Sequence, residues 1–150
     1  MTKRLTILFL CTGNSCRSQM AEGWARHLKA GVINAYSAGI VAKGLDPRAA
    51  TVMTEAGVDI SGQQSKTLDD LADVSFDYVI TLCGHAHETC PVFPGAKTIH
   101  IGFPDPPAMA TEYEEEEAKL GCYRRVRDAI RRFVEDLPGA VEAGSSTPTV

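Results

Sequence analysis

Three cysteines stand at positions where a thiol could do chemistry. Cys11 closes an apolar run, and Arg17 and Ser18 follow it at the start of a segment with helical spacing. Cys83 closes a second apolar run, and Cys90 follows it in the next segment. A thiolate is both a nucleophile and a partner in disulfide exchange. The sequence therefore predicts a nucleophilic cysteine beside an anion site, with two further thiols that could receive its oxidation.

The segment CTGNSCRS, residues 11–18, has the composition of an anion-binding loop. Backbone N–H groups ahead of a helix point at one spot, and the helix dipole adds partial positive charge there. Gly13 permits close backbone approach, Asn14 tolerates the left-handed conformation of such loops, and Arg17 offers a planar fork for a tetrahedral oxyanion. The residues that we expect to bind the oxyanion are Thr12, Gly13, Asn14, Ser15, Cys16 and Arg17.

The same loop is expected to prepare Cys11 for attack. A free thiol with a pKa of about 8.5 is mostly protonated at neutral pH, and a helix N-terminus together with a cation lowers that pKa. We therefore expect a lowered pKa for Cys11 and a hydrogen bond between Ser18 and its sulfur. Asp105, held between prolines in GFPDPPA, could act as general acid for the leaving oxygen. An ordinary Asp-Pro turn is the alternative interpretation of that segment.

The elements that must position these residues alternate between strand and helix. Apolar, β-rich runs predict strands over residues 4–10, 32–39, 76–83 and 97–101. Helical spacing and capping signals predict helices over residues 17–30 and 46–57, a helical turn over 67–73 and a last helix over 111–137. This alternation predicts an α/β fold with a parallel sheet and right-handed crossovers. If the first and third strands are neighbours, Cys11 and Cys83 open onto the same crevice.

Composition limits the classes of protein to consider. The chain has 150 residues, a net charge of −4 and 44% hydrophobic residues, as in an ordinary globular protein. The acidic balance argues against a nucleic-acid partner, and no apolar run is long enough to span a membrane. We predict one domain over residues 1–138 and a disordered tail over residues 139–150. Five cysteines without an export signal indicate a cytoplasmic protein with reduced thiols, which we expect to be a monomer.

The Cys-x5-Arg-Ser motif directly after a buried strand resembles the active-site loop of the low-molecular-weight tyrosine phosphatases and of the arsenate reductases built on the same fold. The resemblance implies a four-stranded parallel sheet in the order 2-1-3-4, with helices on both faces. It also implies that Asp105 is the general acid, because the phosphatases carry Asp-Pro on a comparable loop and the reductases carry Phe-x-Asp-Pro.

A second segment, TLCGHAHETCP at residues 81–91, resembles the redox segment of thioredoxin-coupled arsenate reductases. This resemblance implies reduction of arsenate to arsenite for arsenic detoxification, with weak phosphatase activity beside it. Cys11 would attack arsenate, a Cys11–Cys83 disulfide would form, and a Cys83–Cys90 disulfide would then carry the oxidation to the surface. The implied reductant is thioredoxin, no tightly bound cofactor is implied, and phosphate and sulfate are the expected competing anions.

Two other functions remain open at this stage. A low-molecular-weight protein tyrosine phosphatase would resolve its thiol adduct with water and would need neither Cys83 nor Cys90. A metal centre is the second alternative, because Cys83, His85, His87 and Cys90 are residue types that ligate zinc. Alternating histidines on so short a segment fit tetrahedral geometry poorly, so we expect no metal there. The simpler interpretation makes the two histidines exposed loop residues or mild activators of Cys90.

The resemblance also points to a cation site that this sequence has altered. Several members of the family hold potassium near the loop with an Asn, a Glu, a Ser and an Asp. Asn14, Glu22 and Ser37 match three of these residues, but Lys66 stands where the acid is expected. We expect the Lys66 ammonium to replace the bound cation and activity to be insensitive to potassium. Structural roles are expected for the remaining candidates, Cys16, Trp24, His100 and Cys122.

Overall fold

The computed structural model describes residues 4–91 and 93–142. Strands and helices alternate along these residues as predicted. In chain order the elements are β1 (Leu5–Cys11), α1 (Arg17–Leu28), β2 (Ile33–Gly39), α2 (Pro47–Glu55), a 3-10 helix (Leu68–Leu71), β3 (Tyr78–Thr81), α3 (Gly84–Thr89), β4 (Lys97–His100), α4 (Pro106–Ala110), α5 (Glu116–Glu135) and α6 (Gly139–Glu142). Within the two described ranges, no helix has the length and apolar character needed to cross a lipid bilayer.

The four strands form one parallel sheet in the order β2-β1-β3-β4. β1 pairs with β2 up to Cys11↔Gly39, and with β3 up to Leu10↔Thr81. The strand order that the resemblance implied is thereby confirmed, and β1 and β3 are neighbours. Cys11 and the segment that follows β3 therefore lie at the same carboxyl edge of the sheet.

The hydrophobic residues of β1 alternate between two cores because successive side chains of a strand point to opposite faces. Ile7 and Phe9 belong to the larger core, which α1 and α5 cover and in which Trp24 is buried. Leu8 and Leu10 belong to a second core, which the 3-10 helix and α3 cover. Helices on both faces explain why β1 is a continuous apolar run in the sequence.

The capping signals predicted α2 correctly. Asp46 accepts a hydrogen bond from the backbone N–H of Arg48 at 2.9 Å, and Pro47 is the first helical residue. Gly57 follows the helix with a φ of +88°, a conformation that glycine adopts without the Cβ penalty. This cap matters for the site because the residues just before α2 run alongside the loop after β1.

The last helix begins later than Thr111, where we predicted its start. A separate helix, α4, begins at Pro106, and α5 begins only at Glu116 and ends at Glu135. Proline is favoured in a first helical turn because its φ is already helical, so the Asp105-Pro106 pair starts a short helix of its own. The predicted single helix was therefore wrong at its beginning and nearly correct at its end.

The predicted domain boundary at residue 138 falls too early. Residues 139–142 form α6, and the side chain of Val141 is 1% exposed within the larger core. One turn of helix is too short to show periodicity, so the sequence offered no signal for it. Residues 143–150 lie outside the described residues, and the disorder expected there stays a prediction.

Candidate active site

The loop between β1 and α1 is fixed by the segment that follows β2. Its carbonyl oxygens accept backbone hydrogen bonds from residues 40–46; Gly13 O accepts from Lys43 N at 2.9 Å, and Ser15 O accepts from Asp46 N at 2.9 Å. Because the neighbouring segment engages these carbonyls, the N–H groups of the loop are left to bind a ligand. Successive N–H groups in such a turn, ahead of a helix, form a concave anion site.

The side chain of Asn14 lies behind the loop and supports it. Its φ is +48°, the left-handed conformation that the sequence predicted, and its side chain is 0% exposed. Nδ2 donates to Ser18 Oγ at 2.8 Å and to Ser37 Oγ at 3.0 Å, while Oδ1 accepts from Lys66 N at 2.8 Å and from Gln19 Nε2 at 3.1 Å. These bonds offset the conformational cost of a positive φ at a non-glycine residue.

A cavity of about 370 Å³ opens at the loop. The residues that line it are Cys11, Thr12, Gly13, Ser15, Cys16, Arg17, Lys43, Asp105 and Pro107. Every residue predicted to bind the oxyanion lines the cavity except Asn14. The side-chain amide of Asn14 is engaged by the bonds that hold the loop in shape, and binding of an anion by its backbone N–H stays a prediction.

Arg17 lies in this cavity with part of its guanidinium unused. Nη1 donates to Phe103 O at 3.0 Å, and Nη2 lies 3.7 Å from Asp105 Oδ1. The Nε atom is buried and has no hydrogen-bond partner among the described residues. A buried donor without an acceptor costs about 1–3 kcal/mol, so an oxyanion that entered the cavity would relieve this cost. The planar fork is suited to that ligand.

Cys11 and Cys83 belong to the same buried cluster at the carboxyl edge of the sheet, as the strand order predicted, and each thiol shifts the pKa of the other. Thr12 Oγ1 lies 3.1 Å from Cys83 Sγ, and the backbone N–H of Ala86 donates to the same sulfur at 3.4 Å. Cys83 thus caps the beginning of α3 with its side chain. The two thiols are therefore neighbours, as disulfide exchange between them requires.

The charge on this pair differs from our expectation. The hydrogen bond with Cys83, together with burial, raises the pKa of Cys11. The same hydrogen bond, with those from Thr12 and from the Ala86 N–H, lowers the pKa of Cys83. Two thiols in contact share one proton, and the sulfur with the additional hydrogen-bond donors keeps the negative charge. In this conformation the donors around the pair favour the negative charge on Cys83 rather than the lowered pKa expected for Cys11.

The other two predicted catalytic side chains have different surroundings. Ser18 is fully buried, and its hydroxyl accepts the hydrogen bond from Asn14; no hydrogen bond joins it to Cys11 in the described part of the chain. The expected Ser18–sulfur contact is thus not made, because the hydroxyl belongs to the network that supports the loop. Asp105 lines the cavity at the start of α4, with a half-exposed carboxylate.

Cys90 lies at the far end of α3 from Cys83. It is partly exposed, and burial of its thiol raises its pKa. A helix rises about 1.5 Å per residue, which places the Cα atoms of Cys83 and Cys90 about 10 Å apart, beyond the roughly 7 Å that a disulfide spans. Both are free thiols here. A disulfide between them therefore requires α3 to unwind.

The alternative metal site at Cys83, His85, His87 and Cys90 does not assemble. The Cys83 sulfur is engaged in the thiol pair, and the His87 ring packs against the ring of His100 at 4.8 Å between centroids. Across residues 4–91 and 93–142, no group of three or more Cys, His, Asp or Glu residues is arranged to hold a metal ion. The four side chains therefore do not fit a closed zinc site.

Lys66 lies where the sequence placed the altered cation site. Its ammonium donates to Gln64 O at 2.9 Å and lies 3.8 Å from Glu22 Oε1. Glu22 is 2% exposed and also accepts a hydrogen bond from Ser37 Oγ at 2.6 Å. A buried carboxylate needs a cation nearby; Arg26 Nε lies 2.8 Å from Glu22 Oε2, and the lysine adds a second positive charge on the other oxygen. The insensitivity to potassium stays a prediction.

The residues expected to be structural are packed in the interior or at its edge. Cys122 is fully buried on α5, and Trp24 donates from Nε1 to Arg127 O at 3.2 Å. Cys16 is 3% exposed and occupies the N-cap position of α1, where its side chain makes no capping hydrogen bond. Cys16 also borders the cavity. Burial, followed by the nearby Asp46 carboxylate, raises the pKa of Cys16, which keeps this thiol protonated and unreactive.

Two contributors to the site were missed by the sequence analysis. Lys43 lines the cavity, and its aliphatic chain lies so close to Gly13 that a Cβ on the glycine would be 2.9 Å from Lys43 Cδ. Gln63 Nε2 donates to Gln19 Oε1 at 2.8 Å, and Gln19 Nε2 donates in turn to Asn14 O at 3.0 Å. Isolated lysines and glutamines form no motif, so only the folded arrangement reveals them.

The buried thiol, the amide-lined loop and the arginine at the end of a central parallel strand define a class of cysteine-dependent proteins that bind oxyanions. Within that class, the chain belongs to the low molecular weight phosphotyrosine protein phosphatase family, whose model matches residues 6–146. Family membership thus agrees with the fold and with the loop after β1.

Curated relatives of similar length include bacterial arsenate reductases. An arsenate reductase of Bacillus licheniformis is 52% identical over 140 residues, which cover 90% of this chain and 98% of the relative. An arsenate reductase of Halalkalibacterium halodurans is 48% identical over 136 residues, covering 90% of this chain and 95% of the relative. These relatives match nearly the full length of both chains.

Solved structures give the same picture. An arsenate reductase in a phosphate-binding state has a TM-score of 0.70 and 34% identity, covering 91% of this chain and 96% of that chain. The thioredoxin-dependent arsenate reductase of Corynebacterium glutamicum has a TM-score of 0.68 and 26% identity, covering 95% of this chain and 64% of that chain. A tyrosine phosphatase of Erwinia amylovora, at 20% identity and a TM-score of 0.70, shares the fold.

Proposed function

We propose that this chain is a thioredoxin-coupled arsenate reductase that serves in arsenic detoxification. The observation that carries the proposal is the placement of Cys11 and Cys83 as neighbours in one buried cluster, with a third thiol, Cys90, at the other end of α3. A phosphatase has no use for a second thiol against its nucleophile, whereas reduction of arsenate requires two electrons from a pair of thiols. The arsenate reductases among its relatives support the same conclusion.

Binding of arsenate would use the cavity at the loop. The N–H groups of the loop and the unpartnered Nε–H of Arg17 would donate to the oxygens of the anion. Because Arg17 is already tied to Phe103 and lies beside Asp105, its guanidinium needs little reorganisation when the anion enters. Phosphate and sulfate share the tetrahedral geometry and would compete for the same donors.

The first chemical step would be attack of the Cys11 sulfur on arsenic. The proton of the Cys11 thiol passes along the hydrogen bond to the Cys83 thiolate as the S–As bond forms. The As–O bond to a hydroxyl group of arsenate breaks, and Asp105 gives one proton to that hydroxyl, which leaves as water. Arsenic remains pentavalent at this point, so no electron transfer to it has occurred.

The second step would reduce arsenic. Cys83, after returning its proton to an oxygen of the adduct, attacks the Cys11 sulfur and forms the Cys11–Cys83 disulfide. The S–As bond breaks, and its electron pair stays on arsenic, which becomes trivalent and leaves as arsenite. The two thiols lose two electrons, and arsenic gains two.

The third step would carry the disulfide to the surface. Cys11 is 4% exposed, so the first disulfide lies out of reach of a protein reductant. When α3 unwinds, the Cys90 thiolate can attack Cys83, form a Cys83–Cys90 disulfide and release Cys11 as a thiolate. The dithiol of thioredoxin then reduces the second disulfide by the same exchange chemistry.

This scheme needs no tightly bound cofactor, because every electron comes from a thiol. The dependence on a reducing protein pool favours the cytoplasm, where thiols stay reduced. We also propose that the chain acts as a monomer, since the residues of the scheme all belong to one copy of the fold.

The test is thioredoxin- and NADPH-coupled turnover with arsenate. The Cys90→Ser variant is expected to complete one turnover and to stall with a Cys11–Cys83 disulfide, which mass spectrometry of the intact and digested protein identifies. Cys122→Ser, a change at a buried thiol remote from the loop, is the control and retains steady turnover. Rapid cleavage of an aryl phosphate that survives loss of Cys83 or Cys90, without arsenate turnover, would establish the phosphatase alternative instead.

A further inference from the structure

We propose that His87, acting through Thr81 and His100, is a positioning residue that holds α3 in its helical form and thereby sets how readily the Cys83–Cys90 disulfide forms. We name Thr81, His87 and His100 the α3 clasp. The significance of the clasp for turnover rests on the proposed function, but its effect on the two thiols can be measured without arsenate.

The clasp is centred on the hydroxyl of Thr81, the last residue of β3, which is 0% exposed. Thr81 Oγ1 lies 3.1 Å from His87 Nδ1 and 3.0 Å from His100 Nδ1. The two imidazole rings also contact each other, with centroids 4.8 Å apart and planes tilted by 34°. One helix residue is thus tied to the ends of two neighbouring strands.

The direction of these hydrogen bonds follows from their partners. His100 Nδ1 also lies 3.1 Å from the carbonyl oxygen of Thr81, and a carbonyl can only accept, so we assign the proton of that ring to Nδ1. A hydroxyl has a single proton to give. Thr81 therefore accepts from His100, and we assign its one proton to His87 Nδ1 at 3.1 Å in preference to the more distant carbonyl oxygen of Ile99 at 3.4 Å.

The rest of α3 offers little to keep it folded. The helix has only six residues, and of these only Ala86 is buried. Helices this short are unstable in isolation because the free energy lost in nucleation exceeds the free energy gained from one turn of hydrogen bonds. Besides the cap at Cys83 and the contact of Ala86, the clasp supplies the side-chain attachment that fixes the last turn of α3 to the sheet.

A contact that exists only in the helical form opposes the disulfide. The Cα atoms of Cys83 and Cys90 must come from about 10 Å to within roughly 7 Å before their sulfurs can bond, and α3 must unwind for this. Unwinding removes His87 from Thr81 and from the His100 ring. Loss of the clasp by mutation therefore removes a cost of forming the disulfide, and the equilibrium shifts toward the oxidised pair.

The chain contains its own control. His85 lies on the same helix, two residues before His87, and is also exposed. Its side chain has no hydrogen bond, ion pair or ring contact with the described residues, whereas its backbone carbonyl accepts from Thr89 Oγ1. Replacement of either histidine by alanine changes helix propensity and charge by the same amount. Only replacement of His87 removes the clasp.

The experiment measures the oxidation equilibrium of Cys83 and Cys90 in the full chain with Cys11→Ser as the common background. Mixtures of reduced and oxidised dithiothreitol set the redox poise: oxidised dithiothreitol takes two electrons and two protons from the pair as the S–S bond forms. Alkylation and mass spectrometry then give the oxidised fraction. His87→Ala is expected to raise the equilibrium constant for the disulfide about five- to tenfold, the effect of one partly buried hydrogen bond with a ring contact.

Three comparisons decide the outcome. His85→Ala is expected to stay within twofold of the background protein, and His87→Asn, which keeps an acceptor near the position of Nδ1, is expected to fall between the two. Amide hydrogen exchange over residues 84–89 is expected to accelerate with His87→Ala alone. A role in global stability only would lower Tm without shifting the disulfide equilibrium, and that result overturns the clasp.

Failure of the clasp and failure of the proposed function give different results. If the Cys83–Cys90 disulfide forms but responds equally to His85→Ala and His87→Ala, the clasp is wrong and the thiol relay stands. If the disulfide forms in none of the variants, both the relay and the clasp are wrong.

Discussion

The proton shared by Cys11 and Cys83 is the smallest feature on which the proposed chemistry depends. In this structure the surroundings favour the charge on Cys83, because its sulfur lies 3.1 Å from Thr12 Oγ1 and accepts from the Ala86 N–H. Cys83 can thus take the proton of the nucleophile before it acts as an attacking thiol itself. One sulfur would serve first as a base and later as a reductant.

The hydroxyl of Thr12 gives a testable consequence of this arrangement. Because its pKa is lowered, Cys83 stays ionised at pH values at which an ordinary thiol is protonated. Its reactivity falls only when the pH drops through the pKa of Cys83 in the folded protein. Thr12→Val removes one donor, so we expect the pKa of Cys83 to rise by about one unit. The pH dependence of iodoacetamide labelling at Cys83 measures it; Thr98→Val, an exposed change on β4, is the control. An unchanged midpoint would show that Thr12 donates nothing to the sulfur.

Lys43 provides a second cation at the mouth of the cavity. It is exposed and has no ion-pair partner within the described ranges, and its chain lies against Gly13. Lys43→Met keeps the aliphatic chain and removes the charge. We expect KM for arsenate to rise about fivefold at low salt, with kcat within twofold, because a charge several ångströms away contributes about 1 kcal/mol in water. Lys97→Met is the control, and a loss in kcat instead would contradict a role in binding.

Lys66 determines whether the chain needs a metal cation. Its ammonium lies 3.8 Å from one oxygen of the buried Glu22 carboxylate, and Arg26 Nε lies 2.8 Å from the other, so no free potassium is required to balance that charge. We expect equal steady-state rates in sodium and potassium sulfate for the natural chain, and a potassium-dependent gain only after Lys66→Asp. A severalfold gain with potassium in the unmodified chain would contradict replacement of the cation by lysine.

At the scale of elements, α3 is the part of the fold that must change shape. Gly84 is its first residue, and a Cβ there would meet nothing within 4 Å. Gly84→Ala therefore favours the helix by about 1 kcal/mol without a clash. In the Cys11→Ser background we expect the Cys83–Cys90 disulfide to become about fivefold harder to form, opposite in sign to the effect of His87→Ala. An easier disulfide would mean that helix stability does not govern this step.

The elements also show how far sequence reasoning reaches. The strands were predictable because β1 is buried on both faces, and α2 was predictable because Asp46, Pro47 and Gly57 are local signals. The loop of the candidate site was predictable because its motif follows a strand directly. The charge on Cys11 was not predictable, since it depends on a partner 72 residues away. The break before α5 was missed although Pro106 is a local signal for a helix start.

At the scale of the whole molecule, α6 closes the larger core. Val141 is 1% exposed there, so truncation after residue 138 exposes apolar surface that the folded chain covers. We expect a loss of about 1.5–3 kcal/mol in the free energy of unfolding and a fall in Tm of roughly 3–9 °C. Thermal unfolding measures this change. Truncation after residue 142 is the matched control, and equal Tm values for the two truncations would contradict a role for α6.

The close approach of Gly39 to the loop limits how far the active-site motif can be moved between scaffolds. A Cβ at Gly39 would lie 2.3 Å from Val41 O and 2.7 Å from Asn14 N, so any side chain at position 39 would displace the loop. The eight residues of the motif are therefore not a portable unit. A design that grafts them onto another sheet also needs a glycine at the matching position of the adjacent strand. Replacement of that glycine would abolish the reactivity of the thiol although no reactive group is changed.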